Sequence, residues 1–258
     1  FYVGTGHSAD QIGGFEDSGG NGYGFYKAET DGSWSLVSGT ESWQYINEVV
    51  TDDVNNMVWI ASSNGLDKYD PTTGAIMDVD AFPSGACRAL SISKDGQVII
   101  GHSTGGGSKV YVSTNGGGSF TEVSAIGEDP GVINMISVGR CEFAISHEKV
   151  DGLYRVYASC ASGQLEGIWR SADNGLTWER IAPAYDGTPG GFAPFTSGGS
   201  NGQGGYNNII TVVPGAPDRI ILGGVDCYSW STTCLLYTSD AADDMQCVDL
   251  GGRGIFKK

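Results

Sequence analysis

The chain has 258 residues and a formal net charge of −16, and its basic residues form no cluster. That balance excludes nucleic-acid binding through phosphate neutralisation, and no apolar run is long enough for a membrane-spanning helix. Gly reaches 42 residues while only 17% are charged, so many turns and few helical surfaces follow.

Short aromatic and β-branched runs separated by Gly, Asn, Asp and Ser predict an all-β chain. The first unit is partial: Tyr2-Val-Gly-Thr-Gly6, Gly24-Phe-Tyr-Lys27 and Trp34-Ser-Leu-Val37. An insertion from His7 to Gly22 carries Asp10, Glu16 and Asp17. The chain opens inside a strand, with no initiator Met and no signal-peptide pattern, and reads as a fragment or processed product. The second unit has four predicted strands, at 46–50, 57–61, 65–69 and 75–77. The third has 87–93, 98–102, 109–113 and 120–123, and the fourth 132–138, 154–159, 167–171 and 178–181. A fifth begins with 206–213, 219–224 and 227–229. Trp34 and Phe120 lie 86 residues apart, which is two units, and Phe120 and Trp178 lie 58 apart, one unit with an insertion. Four strands per unit at roughly 40 to 50 residues is the propeller range. The expectation is an incomplete β-propeller of four-stranded blades, about three full and two partial.

One turn recurs between the third and fourth strands. Ser171-Ala-Asp173-Asn-Gly175-Leu-Thr177-Trp178 fits Ser-x-Asp-x-Gly-x-Thr-Trp. Ser113-Thr-Asn115-Gly-Gly117-Gly-Ser119-Phe120 fits with Asn for Asp, Ser for Thr and Phe for Trp. The Ser and Asp or Asn can bond a tight turn, the Gly supplies positive φ, and the aromatic plugs the core. The pattern resembles the Asp-box (BNR) repeat of sialidase-like and sortilin-like β-propellers. With Gly202-Gln-Gly-Gly-Tyr-Asn-Asn208 and Ile221-Leu-Gly-Gly-Val-Asp226, it resembles a secreted bacterial family of such propellers, often joined to a type IX sorting module. The resemblance implies a secreted or cell-surface protein. It does not choose between enzyme and binder, because such propellers include sialidases, xyloglucanase-like hydrolases and sortilin-type receptors.

A sialidase needs an arginine cluster, a Tyr with an acidic partner and an Asp acid/base. The arginines before the tail are Arg88, Arg140, Arg155, Arg170, Arg180 and Arg219, and Arg170 and Arg180 flank the repeated turn. A xyloglucanase-like hydrolase needs two carboxylates facing each other, one with a raised pKa. Candidate acids are Glu48, Asp52, Asp53, Glu128, Asp129 and Asp226, each with an alternative reading as a turn or surface acid. Asp173 belongs to its turn. His102 beside Ser103-Thr-Gly-Gly-Gly107 is a weak hint of a Ser/His/Asp triad. The candidate ligand-binding surface is the long loop from Asp186 to Gly205 with the segment after it: Phe192, Phe195, Gln203, Tyr206, Asn207 and Asn208.

Cys87, Cys141, Cys160, Cys227, Cys234 and Cys247 contain no C-x-x-C pair, which argues against structural zinc. Cys141 and Cys160, flanking one hairpin, are the first candidates for a disulfide, with free buried thiols the alternative. No metal site or cofactor is expected, although acidic loops could hold Ca²⁺. Residues 1–231 read as the partial propeller. Residues 232–258 carry no blade pattern and resemble translated sequencing-adapter sequence, as found at the ends of metagenomic gene fragments. The leading functional expectation is non-catalytic recognition of a glycan or an extracellular protein. The competing one is a glycoside hydrolase, xyloglucanase-like or sialidase-like, whose carboxylates lie partly outside the fragment.

Overall fold

A computed structural model describes residues 1–6, 22–127, 129–185, 187, 192–196 and 202–232, with the backbone of Cys234–Thr238 and Gln246–Val248. Its first sheet is β1 (Tyr2–Gly4), β2 (Phe25–Ala28) and β3 (Trp34–Leu36). The second is β4 (Ile46–Asp52), β5 (Met57–Ser62), β6 (Gly65–Asp70) and β7 (Ala75–Asp78). The third is β8 (Cys87–Ile92), β9 (Ile99–Ser103), β10 (Lys109–Ser113) and β11 (Thr121–Glu122). A short parallel pair, β12 (Ser124–Ala125) with β13 (Ile133–Asn134), leads to the fourth sheet. That sheet is β14 (Arg140–Val150), β15 (Leu153–Ser162), β16 (Gln164–Ser171) and β17 (Glu179–Ala182). The fifth is β18 (Ile209–Val213), β19 (Ala216–Gly223) and β20 (Cys227–Ser231), continued by β21 (Cys234–Thr238) and β22 (Gln246–Val248). Each sheet is an antiparallel meander, and its first strand packs against the first strand of the next: β1 on β4, β4 on β8, β8 on β14, β14 on β18. This is a β-propeller, with those first strands innermost.

The strands are apolar on both faces because each blade serves two cores. Side chains alternate across a strand. On β5, Val58 and Ile60 face the first blade while Trp59 and Ala61 face the third. On β9, Ile99 packs toward the second blade and Ile100 toward the fourth. On β15, Val156 and Ala158 join the third–fourth core, and Tyr157 the fourth–fifth. Each large side chain removed from water contributes about 1.5–3 kcal/mol, so stability resides between blades. The outward face of the first blade leaves Val3, Trp34 and Leu36 exposed, and the fifth leaves Ile209 and Ile221 exposed.

The repeated turns close the outer rim. The Ser171 hydroxyl donates to Asp173 Oδ1 at 2.7 Å and accepts the Gly175 amide at 2.9 Å. Asp173 also accepts the amides of Leu176 and Thr177 and the Thr177 hydroxyl. Gly175 sits at φ +87°, and Trp178, buried, donates its Nε1–H to the Gly175 carbonyl at 2.8 Å. Ser113, Asn115, Gly117 and Ser119 repeat the scheme, with Phe120 packed edge-on against Phe82.

One expected strand is displaced. The run 132–138 reads as the inner strand of the fourth blade, but only Ile133–Asn134 is extended, and Ser137 turns the chain at φ +59°. Its apolar side chains Ile133, Met135 and Val138 instead plug the third–fourth core. The inner seat goes to β14, whose register with β15 runs from Arg140↔Ala161 to Val150↔Leu153. Among the described residues no helix is long and apolar enough to cross a membrane.

Candidate functional site

The inner strands carry two irregularities at corresponding places. The β4–β5 register shifts between Ile46 and Glu48, leaving Asn47 as the extra residue. The β8–β9 register shifts between Cys87 and Ala89, leaving Arg88 extra. A bulge of this kind bends its strand and re-aims a side chain. Both extra residues line one cavity of about 530 Å³. Glu48 joins from β4, Arg140 and Glu142 from β14, and Tyr206, Asn207, Asn208 and Ile209 from the entry to β18. Arg140 and Glu142 share a face because they are two apart on a strand, and the intervening Cys141 points into the third–fourth core.

Hydrogen bonds tie the wall together across blades. Asn47 Nδ2 donates to the Cys87 carbonyl at 2.7 Å, and Glu48 Oε2 accepts the Leu90 amide at 2.6 Å. Arg140 donates Nε–H to Glu142 Oε1 at 2.6 Å and a guanidinium N–H to the Gly205 carbonyl at 2.9 Å. Asn208, buried, donates to the Ser159 carbonyl at 2.9 Å, while its Oδ1 has no partner.

Both carboxyls are raised. Burial pushes Glu48 up to about 8, the negative charge of Glu142 adds to that, and the Leu90 amide and Arg140 oppose it. Glu48 is therefore protonated at neutral pH. Burial raises Glu142 as well, against the Arg140 guanidinium in contact with it. Behind Arg88, the fully buried His102 is driven down to about 3 by burial and by Arg88 and Arg140. Its Nε2 is 2.6 Å from Ser108 Oγ, and its Nδ1 has no partner. Without an acid on Nδ1 to orient the ring, the Ser/His/Asp arrangement is not assembled.

The other sequence candidates scatter. Asp52 is buried in a turn, accepting the amide and side chain of Asn55. Asp53, Asp129 and Asp226 are exposed. Glu128, Asp10, Glu16, Asp17 and Asp186 lie outside the described residues. Phe195 is fully buried in the fourth–fifth core, and a ring without an exposed face offers a sugar no stacking surface. Phe192 packs edge-on against Tyr228 at 5.1 Å. Gln203 accepts from Asn207 Nδ2 and so braces the pocket lining. Tyr206, Asn207 and Asn208 line the cavity, with Tyr206 40% exposed. Sequence reading passed over Glu142 and Asn47. The signal for Glu142 was present, since Arg140 and Glu142 alternate with the apolar Cys141 and Phe143. Among the described residues no group of three or more His, Cys, Asp or Glu is placed to hold a metal ion.

No family model matches the chain, and no curated protein matches it. Solved structures do. An ancestral GH74 enzyme aligns with a TM-score of 0.56 at 17% identity, over 88% of this chain and 28% of that one. The GH74 xyloglucanase from Xanthomonas campestris aligns with a TM-score of 0.53 at 14% identity, over 96% of this chain and 36% of that one. This chain thus spans about a third of the length of those structures. At such identities the likeness extends to the propeller fold alone.

Proposed function

We propose that this chain forms the sugar-handling part of a secreted or cell-surface glycoside hydrolase, with Glu48 as proton donor and Glu142 as the partner carboxylate. The observation that carries this reading beyond plain glycan recognition is two buried carboxyls in one cavity, Glu142 paired with Arg140 and Glu48 bonded by the Leu90 amide. Burial raises both, Glu48 to about 8 and Glu142 against the Arg140 guanidinium in contact with it, and a carboxyl that keeps its proton near neutral pH is what a general acid in glycosidic cleavage needs. The protonated Glu48 donates to the departing glycosidic oxygen, and the resulting carboxylate is then stabilised by the Leu90 amide and Arg140. Glu142, oriented by Arg140, supplies the negative charge that an oxocarbenium-like transition state requires. Asn47, Asn207 and Asn208 present the amide donors and acceptors that read sugar hydroxyls, and Tyr206 offers a partly exposed ring for stacking. That the fold neighbours include a xyloglucanase makes xyloglucan the first substrate to try.

The test is reducing-end release from xyloglucan and a panel of other neutral glycans. Glu48→Gln should lower hydrolysis by about 10²-fold or more while calorimetric affinity for the same glycan stays within a few fold. A wild-type protein that binds a glycan without cleaving it would return the site to recognition. No binding to any glycan would sink both readings.

A further inference from the structure

Cys141 on β14 and Cys160 on β15 are directly opposed partners in an antiparallel register. Residues so opposed have Cα atoms about 4.5–5.5 Å apart, inside the span that a disulfide bridges. Both side chains are fully buried and belong to the same inter-blade core, so they lie on the same face of the sheet. In this structure both are free thiols, the Cys141 thiol lying 3.9 Å from Met135 Sδ; Cys87, also free, is buried in a different core, and the free Cys227 is exposed on β20. The register sets Cys227 opposite Gly223 and Thr238, Cys234 opposite Ser231, and Cys247 opposite Leu236. Among the paired strands no other two cysteines face each other.

We propose that Cys141 and Cys160 form a cross-strand disulfide when the chain folds in an oxidising compartment, locking β14 to β15 behind the cavity. The oxidant is a small-molecule disulfide such as oxidised glutathione. The thiolate of one cysteine attacks it, forming a mixed disulfide and expelling one glutathione thiolate. The second cysteine then attacks the protein sulfur, the Cys141–Cys160 bond forms, and the second glutathione thiolate leaves. The two protons lost by the cysteines end on the two released thiols, and the glutathione disulfide is the species reduced. Because burial, with the adjacent Cys160 thiol, holds the Cys141 thiol well above its ordinary value, exchange is slow once the core has closed and the bond forms before or during closure. The link positions two neighbours at the site, since Cys141 precedes Glu142 and Cys160 follows Ser159, themselves opposed. The inference stands on strand register and burial, independently of whether the cavity cleaves sugars.

The experiment is peptide mapping of the full chain, folded in a glutathione redox buffer or held under reductant. Oxidised protein should lose the mass of two hydrogens per bond and yield, without reduction, one peptide joining the Cys141 and Cys160 segments. The thermal midpoint should rise by roughly 5 to 10 °C over reduced protein, and the C141A/C160A double variant should show no such difference. Full alkylation of both thiols after denaturing the oxidised protein would overturn the proposal, as would Cys141 joined to any other cysteine. The mapping uses the wild-type chain alone, so it decides the matter even where the double variant fails to fold.

Discussion

At the rim, the turn from Ser171 to Trp178 satisfies itself: Asp173, Ser171, Gly175, Thr177 and Trp178 trade hydrogen bonds within eight residues. At the inner end, the cavity draws Glu48, Arg88 and Glu142 from three different sheets and Asn208 from the entry to a fourth. The rim turn is a local object that any blade could carry. The cavity exists only while every blade interface between the second and the fifth holds its register. Damage at the rim should therefore cost stability without touching the chemistry of the cavity, and changes in the cavity should alter protonation and ligand binding while leaving the turns intact.

The largest expected effect breaks the rim's hold on the core. Trp178→Ala removes a buried indole from the third–fourth core and should cost about 3–5 kcal/mol in urea unfolding. The next concerns the cavity and is read through pH. Glu48 titrates near 8 in the folded chain against an ordinary value of 4.5, so the native state binds the extra proton. Its contribution is fully present below about 4.5 and is lost as pH rises through 8, with a slope approaching about 1.4 kcal/mol per pH unit. Urea midpoints measured from pH 5 to 9 should fall in wild type and fall less in Glu48→Gln; parallel curves would refute the shift. Gly117→Ala comes third. The residue sits at φ +84°, and an added Cβ would lie 2.5 Å from the Trp59 ring, for a loss of roughly 1–3 kcal/mol. The smallest is Asp173→Ala, which removes the acceptor of the turn's own donors. It should cost about 1–2 kcal/mol and leave glycan affinity at the cavity unchanged. A change in that affinity would show the rim and the inner end to be coupled after all.

The two regions also differ in how far they could be read in advance. The turn motifs, the strand runs of the second and third blades and the all-β propeller architecture were legible because they rest on period-two alternation and on residues with special backbone needs, all local properties of the chain. The inner strand of the fourth blade was misplaced, because an apolar run at 132–138 looks like a buried strand whether it pairs in a sheet or plugs a core. Among the candidate acids, Glu48 could be named but not distinguished from Asp52, which caps a turn four residues later. Arg88 was visible only as one arginine among several, and Glu142 was not singled out. Their convergence depends on bulges at Asn47 and Arg88 and on the packing of β4, β8, β14 and β18 side by side. A bulge is a choice of register between strands, and desolvation of a carboxyl depends on what other blades place around it. Neither quantity is written at any one position of the chain; both arise only when distant segments are brought into contact.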